Sequence, residues 1–459
     1  MESNSDIRSR IDDKSARVAV IGLGYVGLPL AIELARAGYP VAGLDLDRRK
    51  VESLEHGTSY IPDVASADVK RLVETKQFLP TRDYEVLRSA HVVFICVPTP
   101  FDKMKAPDLN AVISATRGIA ERLQRGQLVI LQSTTYPGTT EEVCLPILEE
   151  SGLKAGEDFH LAFSPERIDP GATSSAGWNV KNTPKVLGGL TPQCTELARA
   201  LLTHLTPEVH VVSSPRAAEM CKLLENIFRS VNIALVNELA LLSERMGIDF
   251  WEVIGAAKTK PFGFMPFYPG AGVGGHCIPV DPYYLSWKAR EYDFFTRFIE
   301  LAADINEGMP FHVVGLVNEA LGKVCKPLQG ARVLVLGVAF KHDVDDARNS
   351  PAERVIELLV ERGAQVRYHD PYVPTFRVGG NVFHRPSVEL NSVDLTPEVL
   401  RQSDAVVIVT PHSNVDYAAV VAHAPLVVDS ANATRDFGPT ERIIRLGSPH
   451  GPASRPRSA

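Results

Sequence analysis

RVAVIGLGYVGLPLAIELARAGYPVAGLDLD, residues 17 to 47, decides the fold. It opens with a β-branched apolar run that ends in Gly22. A helical pattern follows from 28 to 37, and Gly38 breaks it. VAGLDLD, residues 41 to 47, reads as a second strand. Strand, glycine turn, helix and strand within about 30 residues make a βαβ unit. Gly22, Gly24 and Gly27, with Tyr25 and Val26 between them, form G-x-G-x-x-G where the strand turns into the helix. Asp45 closes the second strand about 20 residues on, the spacing of a dinucleotide fingerprint. The glycines permit the turn and let a pyrophosphate approach the helix N-terminus, where free N–H groups point at it. Asp45 is placed to accept from ribose hydroxyls, and its charge disfavours a 2′-phosphate. NAD is therefore expected over NADP, a preference that Arg48 and Arg49 nearby weaken.

The same alternation continues outward. HVVFICVP (91–98), QLVILQST (127–134) and FHLAFSP (159–165) are short apolar runs separated by helical stretches. That pattern implies a parallel sheet with helices on both faces. Near residue 215 the character changes. Residues 217 to 246 carry apolar side chains at helical spacing with no Gly or Pro, and Gly247 is a stop signal. A second helical region covers 296 to 321. Residues 331 to 371 then repeat the layout of the first unit: strand, glycine turn, loop, helix from Pro351, Gly363 and strand. DAVVIVT (404–410) and PLVVDS (425–430) follow as strands.

The expected architecture is α/β, with two Rossmann-like doubly wound domains joined by a central helical domain with one long helix. The boundaries read as 1–210, 211–323 and 324–446. A Gly/Pro/Ser-rich tail at 447–459 is expected to be disordered.

The 459 residues are too many for one core. A net charge of −7 without basic clusters excludes the usual nucleic-acid binder and a polybasic membrane surface. No apolar stretch reaches the ~20 residues of a membrane span, and the polar, charged start lacks the hydrophobic core expected of a signal peptide. Six cysteines, none in a CxxC pair, argue against a zinc site or disulfide framework and for a reducing, cytoplasmic location. No metal is expected.

GAGVGGHCIPVDPYYL, residues 270 to 285, is the chemical end of the chain. Four glycines precede His276 and Cys277 and let a bulky ligand approach the backbone. A cysteine beside such a loop is a nucleophile candidate rather than a core residue. Asp281 lies four residues on. Lys222 and Asn226 are four apart on the long helical stretch and share a face, where a cation and an amide could hold one oxyanion.

Taken in order, VIGLGYVGLPLA, CVPTP, STTYPGTT, SPERIDPG, KLLENIFRSVNIALVNE, GVGGHCIPVDP and GVAFKHDVDDAR resemble the UDP-glucose/GDP-mannose dehydrogenase family over residues 17 to 434. The segment around GGHC is most similar to the bacterial UDP-N-acetyl-D-glucosamine 6-dehydrogenase branch. The resemblance implies an NAD-dependent, four-electron oxidation of the C6 alcohol of a UDP-N-acetylhexosamine, with UDP-N-acetylglucosamine first. UDP-glucose, UDP-N-acetylmannosamine and GDP-mannose are the alternatives. A role in surface polysaccharide synthesis and a homodimer or higher homo-oligomer are implied too.

Residue by residue, the resemblance makes Cys277 the catalytic thiol. Lys222 and Asn226 become oxyanion partners, Asp281 and Thr134 position water, and Glu166 serves acid/base work. It assigns Lys50, Pro98, Thr99, Ser133 and Arg348 to the cofactor. Arg167, Phe267, Tyr268, Gly270, Gly274 and Lys341 are assigned to the sugar nucleotide, together with Glu166, Lys222 and Asn226. One departure is Asp429-Ser430-Ala431-Asn432, where family members often have an arginine at the third position. Two other classes compete. A two-electron hydroxyacid dehydrogenase would yield one NADH, and a non-catalytic NAD-binding regulator would not need Lys222, Asn226 and Cys277.

Overall fold

The computed structural model describes residues 4–102, 104–168, 178–275, 278–380, 386–438 and 440–449. The chain forms two compact units. The first comprises Met1–Glu225 with Trp287–Asp293, and the second Asn226–Ser286 with Phe294–Ala459.

In the first unit the strands are β1 (Val18–Ile21), β2 (Val41–Leu44), β3 (Phe78–Thr81), β4 (Val92–Ile95), β5 (Leu128–Leu131), β6 (His160–Phe163), β7 (Lys185–Gly189) and β8 (Val209–Val211). They form one sheet in the order β3-β2-β1-β4-β5-β6-β7-β8. β1, β4, β5 and β6 are buried along their whole length, which is why they read as continuous apolar runs rather than alternating ones. Ile21, Ile95, Leu131 and Phe163 sit side by side across four parallel strands. The segments that follow them therefore emerge along one edge. The sheet departs from the all-parallel expectation at its far side. There β7 runs antiparallel to β6, and β8 follows β7.

In the second unit, β9 (Arg332–Leu336), β10 (Gln365–His369), β13 (Ala405–Ile408), β14 (Val427–Asp429) and β15 (Ile443–Arg445) build a parallel sheet ordered β10-β9-β13-β14-β15. β11 (Thr375–Gly379) and β12 (Ser387–Asn391) pair antiparallel beside it. The helix Pro351–Glu361 starts where the sequence places it, with proline in its first turn and the Ser350 hydroxyl accepting from the Ala352 N–H. The helix Arg297–Lys323 packs onto this sheet through Val313, Val314 and Val317.

The long helix runs unbroken from Pro215 to Met246 and ends on Gly247 at φ +71°. The boundary between the two units falls inside it, after Glu225. An N-terminal helix, Asn4–Asp12, and the β11–β12 pair were not anticipated.

The expected tail does not start at 447. The Gly447 N–H donates to Glu244 and its carbonyl accepts from Phe250, both at 2.7 Å, and Ser448 is buried. Residues 450–459 lie outside the described ones. Among the described residues, no helix is long and apolar enough to cross a membrane, and no cluster of acidic, His or Cys side chains could hold a metal.

The repeat seen in the sequence has a physical basis. Gly22 follows β1 at φ +90°, and a Cβ there would meet the Cys96 carbonyl oxygen at 2.6 Å. Gly337 follows β9 at φ +79°, and a Cβ there would meet the Thr410 carbonyl oxygen at 2.0 Å. In both units the chain leaving the first strand crosses the backbone of its neighbour, where only glycine fits.

Candidate active site

In the first unit the fingerprint loop is held from beneath. Asp45 Oδ2 accepts from the Leu23 N–H at 2.9 Å and from Lys50 Nζ at 3.1 Å, while Oδ1 accepts from the Asp47 N–H at 2.9 Å. The Tyr60 hydroxyl donates to the Leu23 carbonyl at 2.7 Å. Burial, then the charges of Asp45 and Asp47, push the Tyr60 phenol well above its usual range, so it stays a donor. Nothing local in the sequence pointed to Tyr60.

The helix Gly27–Arg36 begins at Val26 with no side-chain cap. A Cβ on Gly24 would meet nothing within 4 Å, so the outer side of the loop is open. An uncapped helix start, an open glycine turn and a carboxylate with one lightly used oxygen suit the pyrophosphate and ribose of a dinucleotide. Arg48 and Arg49, which weakened the preference for NAD, are paired with Glu52 and Asp47.

The edge beyond Ile95, Leu131 and Phe163 gathers more of the expected residues. Thr99 Oγ1 donates to the Thr134 carbonyl at 2.8 Å, and Ser133 Oγ to the Val97 carbonyl at 2.7 Å, which ties the 97–99 segment, with the exposed Pro98, to 133–134. Glu166 is buried there with four donors on its two oxygens. Gln132 Nε2 and Lys185 Nζ reach Oε2, both at 3.0 Å. The N–H groups of Arg167 and Ile168 reach Oε1 at 2.8 and 3.1 Å. Burial opposes the charge on Glu166, but Lys185 and these donors outweigh it and hold the carboxyl below its ordinary range. Glu166 thus rests as a carboxylate. Arg167 reaches Glu225 at 2.6 Å. Lys222 is buried on the first-unit part of the long helix.

Lys185 was missed in the sequence, although a lysine opening a strand that is otherwise apolar and buried was a usable signal. Its side chain is 3% exposed. Lys185→Met strands a buried carboxylate, a loss of about 3–5 kcal/mol at neutral pH. In the wild type, the lowered Glu166 pKa contributes stability above the unfolded value of about 4.3, and this is lost as pH falls through the folded value. In the variant the carboxyl rises instead, so the deficit shrinks as pH is lowered. Urea unfolding at neutral and mildly acidic pH measures this. A deficit under about 1 kcal/mol at neutral pH contradicts it.

In the second unit, Asn226 donates its amide to the carboxylate of Asp281, the first residue of the helix Asp281–Ala289. Both are buried. The contact joins positions 55 apart in sequence and commits one of the two Asn226 amide hydrogens.

The glycine segment has a second reason for its composition. A Cβ on Gly274 would meet Phe340 Cβ at 2.8 Å and the Asn349 carbonyl at 2.9 Å. The backbone packs against the chain's own 340–351 stretch, so these glycines serve protein packing as well as the expected ligand approach. Phe267 packs edge-on against Phe228, and Tyr268 stacks on Trp251. Gly270 is tied through its N–H to Asn237. Arg348, expected at the cofactor, pairs with Asp346 in this unit, and Lys341 follows Phe340. His276 and Cys277 lie outside the described residues.

Asp370 stands after β10 as Asp45 stands after β2, but it is used differently. It accepts from the N–H groups of Val338, Ala339, Tyr372 and Val373 and from His412 Nε2 at 3.0 Å. No acceptor is left for a ribose, so the second nucleotide fold is not a copy of the first in what it binds.

Three models of the UDP-glucose/GDP-mannose dehydrogenase family match in chain order: the NAD binding domain at residues 16–206, the central domain at 216–308 and the UDP binding domain at 334–436. The chain is 41% identical over 362 residues to UDP-N-acetyl-D-glucosamine 6-dehydrogenase of Pseudomonas aeruginosa, covering 78% of this chain and 84% of that protein. It is 37% identical over 398 residues to UDP-N-acetyl-D-mannosamine dehydrogenase of Pyrococcus horikoshii, covering 86% and 89%. A solved structure of the UDP-D-ManNAc dehydrogenase from Pyrococcus horikoshii superposes with a TM-score of 0.84 at 34% identity, covering 94% of this chain and 99% of that one. With an NAD fingerprint in one unit and a second nucleotide fold in the other, the chain belongs to the UDP-glucose/GDP-mannose dehydrogenase family and is an NAD-dependent nucleotide-sugar 6-dehydrogenase.

Proposed function

We propose that the enzyme oxidises the C6 alcohol of UDP-N-acetylglucosamine to the carboxylate in two steps, with Cys277 holding the intermediate. The buried Asn226–Asp281 contact carries this reading, because it brings two of the candidate groups together across 55 residues. NAD held in the first unit would supply the hydride acceptor, one molecule for each of the two oxidations, with the first NADH exchanged for a second NAD between them. Lys222 and the second amide hydrogen of Asn226 stabilise the charge on the C6 oxygen, where a dry site makes such contacts strong. The Cys277 thiolate adds to the aldehyde, which keeps it from escaping, and the resulting thiohemiacetal is oxidised to a thioester. Asp281, fixed by Asn226, and Thr134 orient the water that releases the carboxylate and restores the thiol. Glu166, already ionised, takes the proton of that water or fixes the groups around it.

Cofactor contacts are assigned to the 22–27 loop, Asp45, Lys50, Pro98, Thr99, Ser133, Thr134 and Arg348. Sugar-nucleotide contacts fall to Glu166, Arg167, Phe267, Tyr268, Gly270, Gly274 and Lys341. The three-part division at 1–210, 211–323 and 324–446 is retained as a functional one.

The N-acetylglucosamine preference rests on the 41% identity to a UDP-N-acetyl-D-glucosamine 6-dehydrogenase. The 37% identity to a mannosamine enzyme makes UDP-N-acetylmannosamine the second reading. A panel of UDP-N-acetylglucosamine, UDP-N-acetylmannosamine, UDP-glucose and GDP-mannose, followed by NADH absorbance, separates them. A higher kcat/KM on any of the other three replaces the first choice. The product is assigned to cytoplasmic synthesis of surface polysaccharide precursors.

A homodimer or higher homo-oligomer is proposed as well. Phe228, Leu235, Leu239, Leu242 and Met246 stand exposed along the long helix in the second unit, a stripe that association would cover. Sedimentation equilibrium returning the mass of one chain would refute it.

A further inference from the structure

We propose that Asn237 and Asn306 form a polar anchor that sets the position of the 267–275 segment, making Asn237 a positioning residue for the nucleotide sugar. The proposal rests on the reading of that segment as substrate-binding.

Asn237 sits on the long helix and is fully buried; Asn306 sits on the helix Arg297–Lys323 and is 6% exposed. Asn237 Oδ1 accepts from the Gly270 N–H at 3.0 Å. Its Nδ2 donates to Asn306 Oδ1 at 2.9 Å, and Asn306 Nδ2 donates to the Ser230 carbonyl at 3.1 Å. The chain of bonds has one direction. The group Gly270 turns to Asn237 is its N–H, which can only donate, so Asn237 must present its oxygen there, and Asn306 must then turn its oxygen toward Asn237. Either amide reversed would set like against like.

Two helices packed by apolar side chains need no such pair, since leucines would fill the space without desolvating amides. The pair has a use because its last bond leaves the helices and ends on the loop. Five residues further on, the same segment is fixed again. The Gly275 N–H donates to the Arg348 carbonyl at 3.2 Å, and Asn349 Nδ2 donates to the Gly275 carbonyl at 3.1 Å. Between the two anchors Ala271 is buried. The stretch just ahead of Cys277 in the chain is thus tied at 270 and at 275, and Asn237 controls the first tie.

The test uses the full-length enzyme with NAD and whichever nucleotide sugar it turns over best. Asn237→Leu keeps the side chain's approximate size and removes the acceptor. The expected result is a rise in KM for the nucleotide sugar of about ten-fold, the worth of one hydrogen bond, with KM for NAD changed less than about two-fold. A merely structural role would lower kcat and the melting temperature and leave this split unseen.

Asn306→Leu keeps the Asn237–Gly270 bond but removes the group that orients Asn237. A smaller rise of about three-fold is expected, and this variant serves if the first fails to fold. A sugar KM within about two-fold of wild type in the folded variants overturns the anchor. Phe267→Ala and Tyr268→Ala test the underlying reading separately. If both leave the sugar KM unchanged, the segment does not bind substrate and the anchor falls with it. If they raise it and the asparagine variants do not, the anchor alone is wrong.

Discussion

Cys277→Ser is expected to lower uronic acid formation by at least about a thousand-fold, the order seen when an enzyme loses its nucleophile. A thiol ionises far more readily near neutral pH than an alcohol does, and the thiolate is the nucleophile. A serine adds to the aldehyde only weakly, and the ester it would form hydrolyses more slowly than a thioester. The other cysteines supply controls. Cys96, Cys144 and Cys194 are buried, while Cys325 is exposed. Burial, with the charge of Glu166 behind it, pushes the Cys96 thiol well up, and burial raises Cys144 to about 12, so neither offers a thiolate. Cys325→Ser should leave turnover unchanged and still allow iodoacetamide to inactivate the enzyme. Product measured by mass spectrometry decides the matter, and full uronate formation by Cys277→Ser would exclude the covalent route.

Two substitutions in the fingerprint should separate folding from cofactor binding. A Cβ on Gly27 would lie 1.8 Å from the Gly22 carbonyl oxygen, and backbone cannot yield there as a flexible side chain would. Gly27→Ala should cost about 3 kcal/mol or more and remove NAD binding together with much of the first unit's stability. Gly24 has open space around its Cβ position and no positive φ. Gly24→Ala should therefore melt within a degree or two of wild type, yet raise the Kd for NAD by about ten-fold or more, because the new methyl faces the approaching pyrophosphate. Calorimetric titration with NAD and thermal melting read both. Equal melting temperatures and equal NAD affinities for the two variants would show that the turn is not built as described.

The first βαβ unit was legible because everything that defines it is local. The apolar run, the glycine spacing and Asp45 lie within about 30 residues; Gly22 and Gly27 stand where a Cβ would strike backbone, and Asp45 accepts from the Leu23 N–H of the turn. The second nucleotide fold was legible for the same reason, from Gly337 to the strand before Asp370. What closes it to a ribose was not, because His412 comes 42 positions after Asp370. Lys185 and Glu166 meet only because β7 reverses beside β6, a topology that no periodicity announces. The asparagine at 237 looked like one polar residue on a long helix, and its partners lie 33 and 69 positions away. The glycines before His276 and Cys277 pointed to a ligand, but their packing against Phe340 and Asn349 is visible only in three dimensions.

Four-electron oxidation is the centre of the account, and counting reduced cofactor tests it most directly. With the nucleotide sugar limiting and NAD in excess, the reaction should run to two NADH per sugar consumed, with the uronate as the sole carbohydrate product. One NADH per sugar, with aldehyde or ketone accumulating, would contradict it.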